Sequence, residues 1–469
     1  MAKISKKALS IIISVVLVVG VVGIGLLVGL TATPRSSILK IYNWEDYIEE
    51  SLIKEFEAAY RAETGDKKFK VEYRTFTDNE ELYTKIKTQK ADYDLAFPSE
   101  YMVDKMRADG LLKPLDIDRI TDYYEILNAD ILNVTKDFTT VADNAEQVWA
   151  IPYLMGTLGI MYNTDVITAM GKQSVEDFEA MLDEFGWGVL FGQKNDTYDS
   201  TNYYGHITMK KSARDTIGIA MLYSQKDKLA KDTYLQDIGK ILNMQGDYTL
   251  DMARKVLEDQ ITTMNPKYEN DSGKKAFADN DPDYAYGLYW SCDAGLVMYE
   301  DDDNIRENIK FYIPEGTNFW TDNFVMPKYG TADKKTTDAA YAFINFMLDA
   351  KNAKTNIEYV GSTMAVDQAM TELREEWEEE DNDWMDNYLD CIFPTADIIH
   401  NSAVMKDFDS ALEGQVNDLM ISIMNQSAFN ADKNNGNNVN WLAIILGILA
   451  VAAVAGGLIY YFTHRRRAK

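Results

Sequence analysis

Apolar and polar positions along the chain fall into short runs that switch between two periods. Ile38 to Tyr42 is a compact apolar run of strand length. Leu52, Ile53, Phe56 and Tyr60 then recur on one helical face, with Gly65 as the stop. Phe69 to Tyr73 reads as a second strand, Leu82 and Ile86 as the buried face of a helix that Asn79 can cap, and Tyr93 to Phe97 as a third strand. Pro98-Ser99-Glu100-Tyr101 opens another helix, through Met106. This β-α-β-α-β-α rhythm predicts an α/β fold on a mostly parallel, helix-covered sheet.

Further along, Trp149 to Tyr153 and Gly159 to Asn163 read as a strand crossing into a second domain. There Gly205 to Met209 precedes Ser212-Ala-Arg-Asp215 and an apolar helix over Ile217 to Tyr223. Tyr286 to Trp290 is a strand that ends in Ser291-Cys292-Asp293. Ile309 to Pro314 is another strand, and Glu315 to Pro327 crosses back. Ala339 to Leu348 and the stretch near Phe408 to Met424 read as helices. Glu372 to Asp386 is so dense in acid, with Trp377 and Trp384 embedded, that it reads as a solvated helical insertion. Asn430 to Asn440 is Asn-rich and reads as a flexible tether.

Two uncharged apolar segments change the picture of location. Leu9 to Ala32 follows Lys3, Lys6 and Lys7, and Trp441 to Phe462 precedes His464-Arg465-Arg466-Arg467. Each is long enough to span a bilayer. The basic flanks put both termini in the cytoplasm and residues from about 33 to 440 outside. The first segment exceeds a usual signal-peptide core, which favours an anchor, with cleavage near Ala32 as the alternative. Cys292 and Cys391 are the two cysteines, and either a single disulfide or two buried thiols fits them.

With 47 Lys+Arg against 75 Asp+Glu, the 469-residue chain carries a formal charge of −28. That excludes the basic surface of a nucleic-acid binder and suits a cationic ligand. Candidate chemistry gathers at strand ends, where parallel α/β sheets bind ligands. Trp44, Asp46 and Tyr47 follow one strand, and Ser99 and Tyr101 another. Trp320 and Asp322 share one face of an extended segment, so an indole lies beside a fixed anion. An aromatic face and a carboxylate together make a receptor for an organic ammonium. Patterns for metal-dependent hydrolysis, a nucleophilic serine, CxxC chemistry or a phosphate loop are absent, and His206, His400 and His464 are too scattered for a metal site. The chain therefore reads as a binding protein rather than an enzyme, with no metal and no cofactor.

These residues resemble the substrate-binding proteins of spermidine/putrescine ABC transporters over roughly residues 38 to 425. The segments that carry the resemblance are Tyr42 to Tyr47 (YNWEDY), Tyr93 to Tyr101 (YDLAFPSEY) with Val103 to Met106, and Phe319 to Asp322 (FWTD). The resemblance implies a two-lobe, type II periplasmic-binding-protein-like fold with crossover hinge strands, here flanked by N- and C-terminal transmembrane helices. Lobe 1 would comprise 38–153 plus 320–361 and lobe 2 154–319 plus 362–429, between a tail, anchor and linker at 1–37 and a linker at 430–440 leading to an anchor and basic tail at 441–469. By motif position it also implies that Trp44 and Tyr47 line one wall and that Asp46 adds charge. Ser99 and Tyr101 would turn hydroxyls to the ligand, Trp290 and Trp320 would be aromatic plates, Asp215 and Asp322 anions, and Asp293 the extra carboxylate of putrescine-type members. Ser212, Ser362 and Met405 depart from the family's usual residues. The implied function is an extracytoplasmic polyamine-binding component at the cell membrane that serves a separate permease and ATPase. Putrescine is expected to bind at least as tightly as spermidine. A surface receptor of the same fold, or a receptor for another small cation or an amino acid, is the alternative.

Overall fold

The computed structural model of the chain describes residues 33–142, 146–270, 272–299, 303–378 and 383–434. The two apolar segments expected to cross a membrane, and most of the Asn-rich tether, lie outside these. Among the described residues no helix is long and apolar enough to span a bilayer.

The N-terminal rhythm forms as its periodicity requires. Strand Ile38–Trp44 pairs in parallel with Lys70–Phe76 on one side and Leu95–Ala96 on the other. Helix Glu50–Thr64 buries Leu52 and Phe56, and its last turn is closed by Gly65 at φ 72°, whose N–H bonds to the Arg61 carbonyl. The next helix, Asn79–Lys87, differs in one detail from expectation. Asp78, not Asn79, is the N-cap and accepts from the Glu81 N–H, which leaves the Asn79 amide free for other work. Helix Glu100–Ala108 then starts directly after Ser99.

The organising element is strand Ile151–Asn163, buried along its whole length. A strand covered on both faces reads as a continuous apolar run rather than an alternating one, which explains why its middle was not legible as strand. Its first half pairs antiparallel with Thr317–Phe324 and Thr363–Met364, its second half with Tyr286–Trp290 and Ile309–Tyr312. Parallel strands Ile207–Lys210 and Lys267–Glu269 extend the sheet beyond Tyr286–Trp290.

The interior divides into two apolar cores along that strand. One holds Leu39, Phe56, Leu95, Tyr153 and Phe324, and the other Leu158, Phe178, Trp187, Ile217 and Tyr286. In the C-terminal part Met364 to Val404 packs with the first core, and Met405, Phe408, Val416 and Ile423 with the second. The acid-rich stretch is not a wholly solvated insertion. It forms helices Asp367–Glu378 and Asp383–Ile392, and Leu373, Trp377, Tyr388, Leu389 and Ile392 turn inward. Trp377 and Tyr388 rings lie 5.4 Å apart. Acid density described one face of these helices and hid the apolar stripe on the other. Cys292 and Cys391 are buried free thiols, and Cys391 donates to the Ser291 carbonyl oxygen at 3.2 Å.

Candidate ligand-binding site

Where the two cores meet, the crossover strands bring an anion and an indole together. Trp320 faces Gly156 in the antiparallel pairing and Asp322 lies two residues on, before a register shift at Asp322/Asn323. Asp322 is 4 % exposed. Its carboxylate accepts from the Ser99 hydroxyl at 2.7 Å, and the Tyr47 hydroxyl and Trp44 indole also favour its charge. Burial outweighs these bonds and pushes its pKa up to about 7.

Asn79 explains why Ser99 and Tyr101 are held together. Its amide donates to the Ser99 hydroxyl at 2.9 Å and the Tyr101 hydroxyl at 3.1 Å, while its carbonyl oxygen accepts the Ser99 N–H. Between these residues stands Glu100, a carboxylate to which sequence reasoning gave no role. It accepts the Thr321 N–H at 3.1 Å, and burial, with the charges of Asp322 and Asp215 adding to it, pushes its pKa up to about 8. Its signal was present in the motif, because a charge seated between two inward-facing residues at a helix start has little room to reach solvent.

Asp215 enters from the second core on helix Ala213–Lys226, capped by Ser212. Burial raises its pKa, against bonding from Ser212 and the Trp290 indole. The Ser212 side chain thus positions Asp215. The other two departures are buried: Ser362 donates to the Met155 carbonyl oxygen and Met405 packs in the second core.

Trp44, Tyr47, Ser99, Tyr101, Asp215, Trp290, Trp320 and Asp322 therefore surround one region, with Glu100 added. Two expected residues behave differently. Asp46 is exposed at φ 54°, and its charge acts on Tyr73 and Tyr359 rather than on Asp322. The left-handed turn comes just after the end of strand Ile38–Trp44 and leaves the Asp46 side chain in solvent. Asp293, expected to hold a ligand ammonium, is ion-paired with Lys210 and lies 3.3 Å from Lys274. Tyr101 is likewise engaged within the chain, its ring 4.0 Å from the Arg214 guanidinium.

Among the described residues, no basic side chain forms an ion pair with Glu100, Asp215 or Asp322. Three buried carboxylates and four aromatic side chains thus lie together along strands that run through both cores. The chain belongs to the bacterial extracellular solute-binding protein family, whose sequence model matches residues 51–381. It is accordingly a solute-binding protein and not an enzyme. It is 27 % identical over 376 residues to a spermidine/putrescine-binding periplasmic protein of Haemophilus influenzae, covering 80 % of this chain and 85 % of that one. A putrescine-binding periplasmic protein of Escherichia coli is 27 % identical over 330 residues, 68 % of this chain and 75 % of its own. Among solved structures, the spermidine/putrescine ABC transporter substrate-binding protein of Streptococcus pneumoniae superposes with a TM-score of 0.61 at 28 % identity, covering 83 % of this chain and 99 % of that one.

Proposed function

We propose that this chain is the extracytoplasmic polyamine-binding component of an ABC importer. It closes two lobes on a putrescine- or spermidine-like ligand and presents it to a separate permease and ATPase. The observation that carries this reading is the pair Asp322 and Glu100, both buried and, among the described residues, without an ion-pair partner. Burying carboxylates uncompensated is costly, and an organic diammonium supplies the missing charge while its methylenes lie against Trp44 and Trp320. An amino acid fits less well, because its own carboxylate would enter a site already rich in acid. The apolar segments at 9–32 and 441–462 tether the binding domain to the cell membrane.

A thermal-shift panel of putrescine, spermidine, amino acids and quaternary amines, followed by calorimetry, tests the reading. Stabilisation by polyamines alone is expected, with putrescine at least as effective as spermidine. Stabilisation by an amino acid and by no polyamine would overturn it. The tether is tested by adding protease to intact cells: both tails should survive while the domain is cut.

A further inference from the structure

The ion pair between Lys210 and Asp293 repeats, within the protein, the chemistry that the neighbouring site offers a ligand. Lys210 ends the buried strand Ile207–Lys210 and its side chain is 0 % exposed. Its ammonium donates to Asp293 and, at 3.0 Å, to the Asn270 carbonyl oxygen. It also lies 3.9 Å from the centre of the Trp290 ring and 4.9 Å from that of Tyr289. A carboxylate, a carbonyl and an indole face around one ammonium are the parts of an organic-ammonium seat. Trp290 connects this seat to the ligand region, since its indole lies near enough to Asp215 to favour that carboxylate's charge.

We infer that Lys210 is a built-in ammonium that occupies the Trp290/Asp293 seat and so limits the length of ligand the site accepts. The inference rests on the polyamine reading and deepens it. With Lys210 in place Asp293 is already neutralised, and a Trp290 ring carrying one cation attracts a second less strongly. The ligand is left with Glu100, Asp215 and Asp322, which favours a ligand with two ammonium groups over one with three. Lys210 is thus a specificity residue that need not touch the ligand. No signal short of the fold could have found it, because Lys210 and Asp293 meet only where strand Ile207–Lys210 pairs with Tyr286–Trp290 and helix Ser291–Met298 follows.

Calorimetry with putrescine and spermidine on three forms of the full chain tests this. Lys210→Met removes the charge and keeps an unbranched chain. It should shift selectivity toward spermidine by about tenfold or more, the size of one charge-assisted hydrogen bond. The double variant Lys210→Met/Asp293→Asn removes both charges of the buried pair and leaves the partly exposed Lys274, 3.3 Å from residue 293, to be solvated. It should bind putrescine within about threefold of the unmodified protein, a change under 1 kcal/mol by the usual conversion. Unchanged selectivity in Lys210→Met would overturn the inference, as would a double variant that loses putrescine as severely as Asp322→Asn. Failure of the unmodified protein to bind any polyamine would instead refute the underlying functional reading.

Discussion

Gly156 and Trp320 face each other across paired strands, and the indole occupies the space a side chain at 156 would need. A Cβ there would come within 2.5 Å of the Trp320 ring and 2.2 Å of the Ser291 hydroxyl. Close approach, not backbone conformation, is therefore what requires glycine at this point in a buried strand. Gly156→Ala should displace Trp320 and lower stability by roughly 1–3 kcal/mol, the usual cost of overpacking. Ligand affinity should fall with it, and tryptophan fluorescence on titration should change. Melting and calorimetry that both match the unmodified protein would show that Trp320 is not seated as described.

Asp322→Asn keeps the shape of the side chain and its bond from Ser99 while removing the charge. Loss of one partner of a desolvated charge pair costs roughly 2–5 kcal/mol, so binding should weaken by at least tenfold. Stability of the ligand-free protein should hold or rise, because the buried charge is gone. The two effects have opposite signs, and a matched loss of stability and affinity would count against a ligand role.

Asn79 and Lys210 show what the sequence could not display, and Glu100 what it displayed only faintly. The β-α-β opening, the Gly65 stop and the Trp320/Asp322 pair were legible because each follows from local period or backbone preference. Asn79 read as a helix cap because Asn and Asp are interchangeable there, and only the fold shows Asp78 taking that place. Glu100 sits between two hydroxyl residues that match the ligand-facing motif, and a lone acid at a helix start is common on protein surfaces. Asp46 was placed by its position after the strand that carries Trp44, but its positive φ leaves the side chain in solvent. The partnership of Lys210 with Asp293 spans 83 positions and depends on the pairing of strand Ile207–Lys210 with Tyr286–Trp290 and on the helix that follows.

Contacts between the two cores give a further expectation. Lys105, on helix Glu100–Ala108, reaches Asp407 at 3.3 Å and Glu413 at 3.5 Å, both beside the second core. Arg214, from the second core, stacks on Tyr101. Each partly exposed ion pair is worth at most about 1 kcal/mol, and the cation–π contact about 0.5–2 kcal/mol. Together they favour closure without dictating it. Lys105→Ala should weaken binding by less than about tenfold, mainly through faster dissociation, and added salt should narrow the difference. Stopped-flow kinetics in which only association changes would argue that these contacts steer the ligand rather than hold the lobes.

Ligand binding should also be linked to protons, and the sign follows from the two most strongly shifted carboxylates. Asp322 moves from an ordinary value of 3.8 to about 7, and Glu100 from 4.5 to about 8, both chiefly by burial. A group whose folded pKa lies above its unfolded one stabilises the folded form fully below the unfolded value. That contribution is lost as pH rises through the folded value. The closed, ligand-free form should therefore lose stability as pH climbs from about 4 to about 8, and the lobes should be easier to open. A bound diammonium reverses the preference, because it favours the ionised carboxylates and expels their protons. Affinity should rise between about pH 6 and pH 9 and level off as the ligand amines, near pKa 10 like lysine, begin to lose their own charge. Calorimetry at pH 7 in buffers of different ionisation enthalpy should report net proton release, and Glu100→Gln should reduce it. An affinity that is flat from pH 6 to pH 9, with heats independent of the buffer, would mean that these carboxylates are already ionised before the ligand arrives.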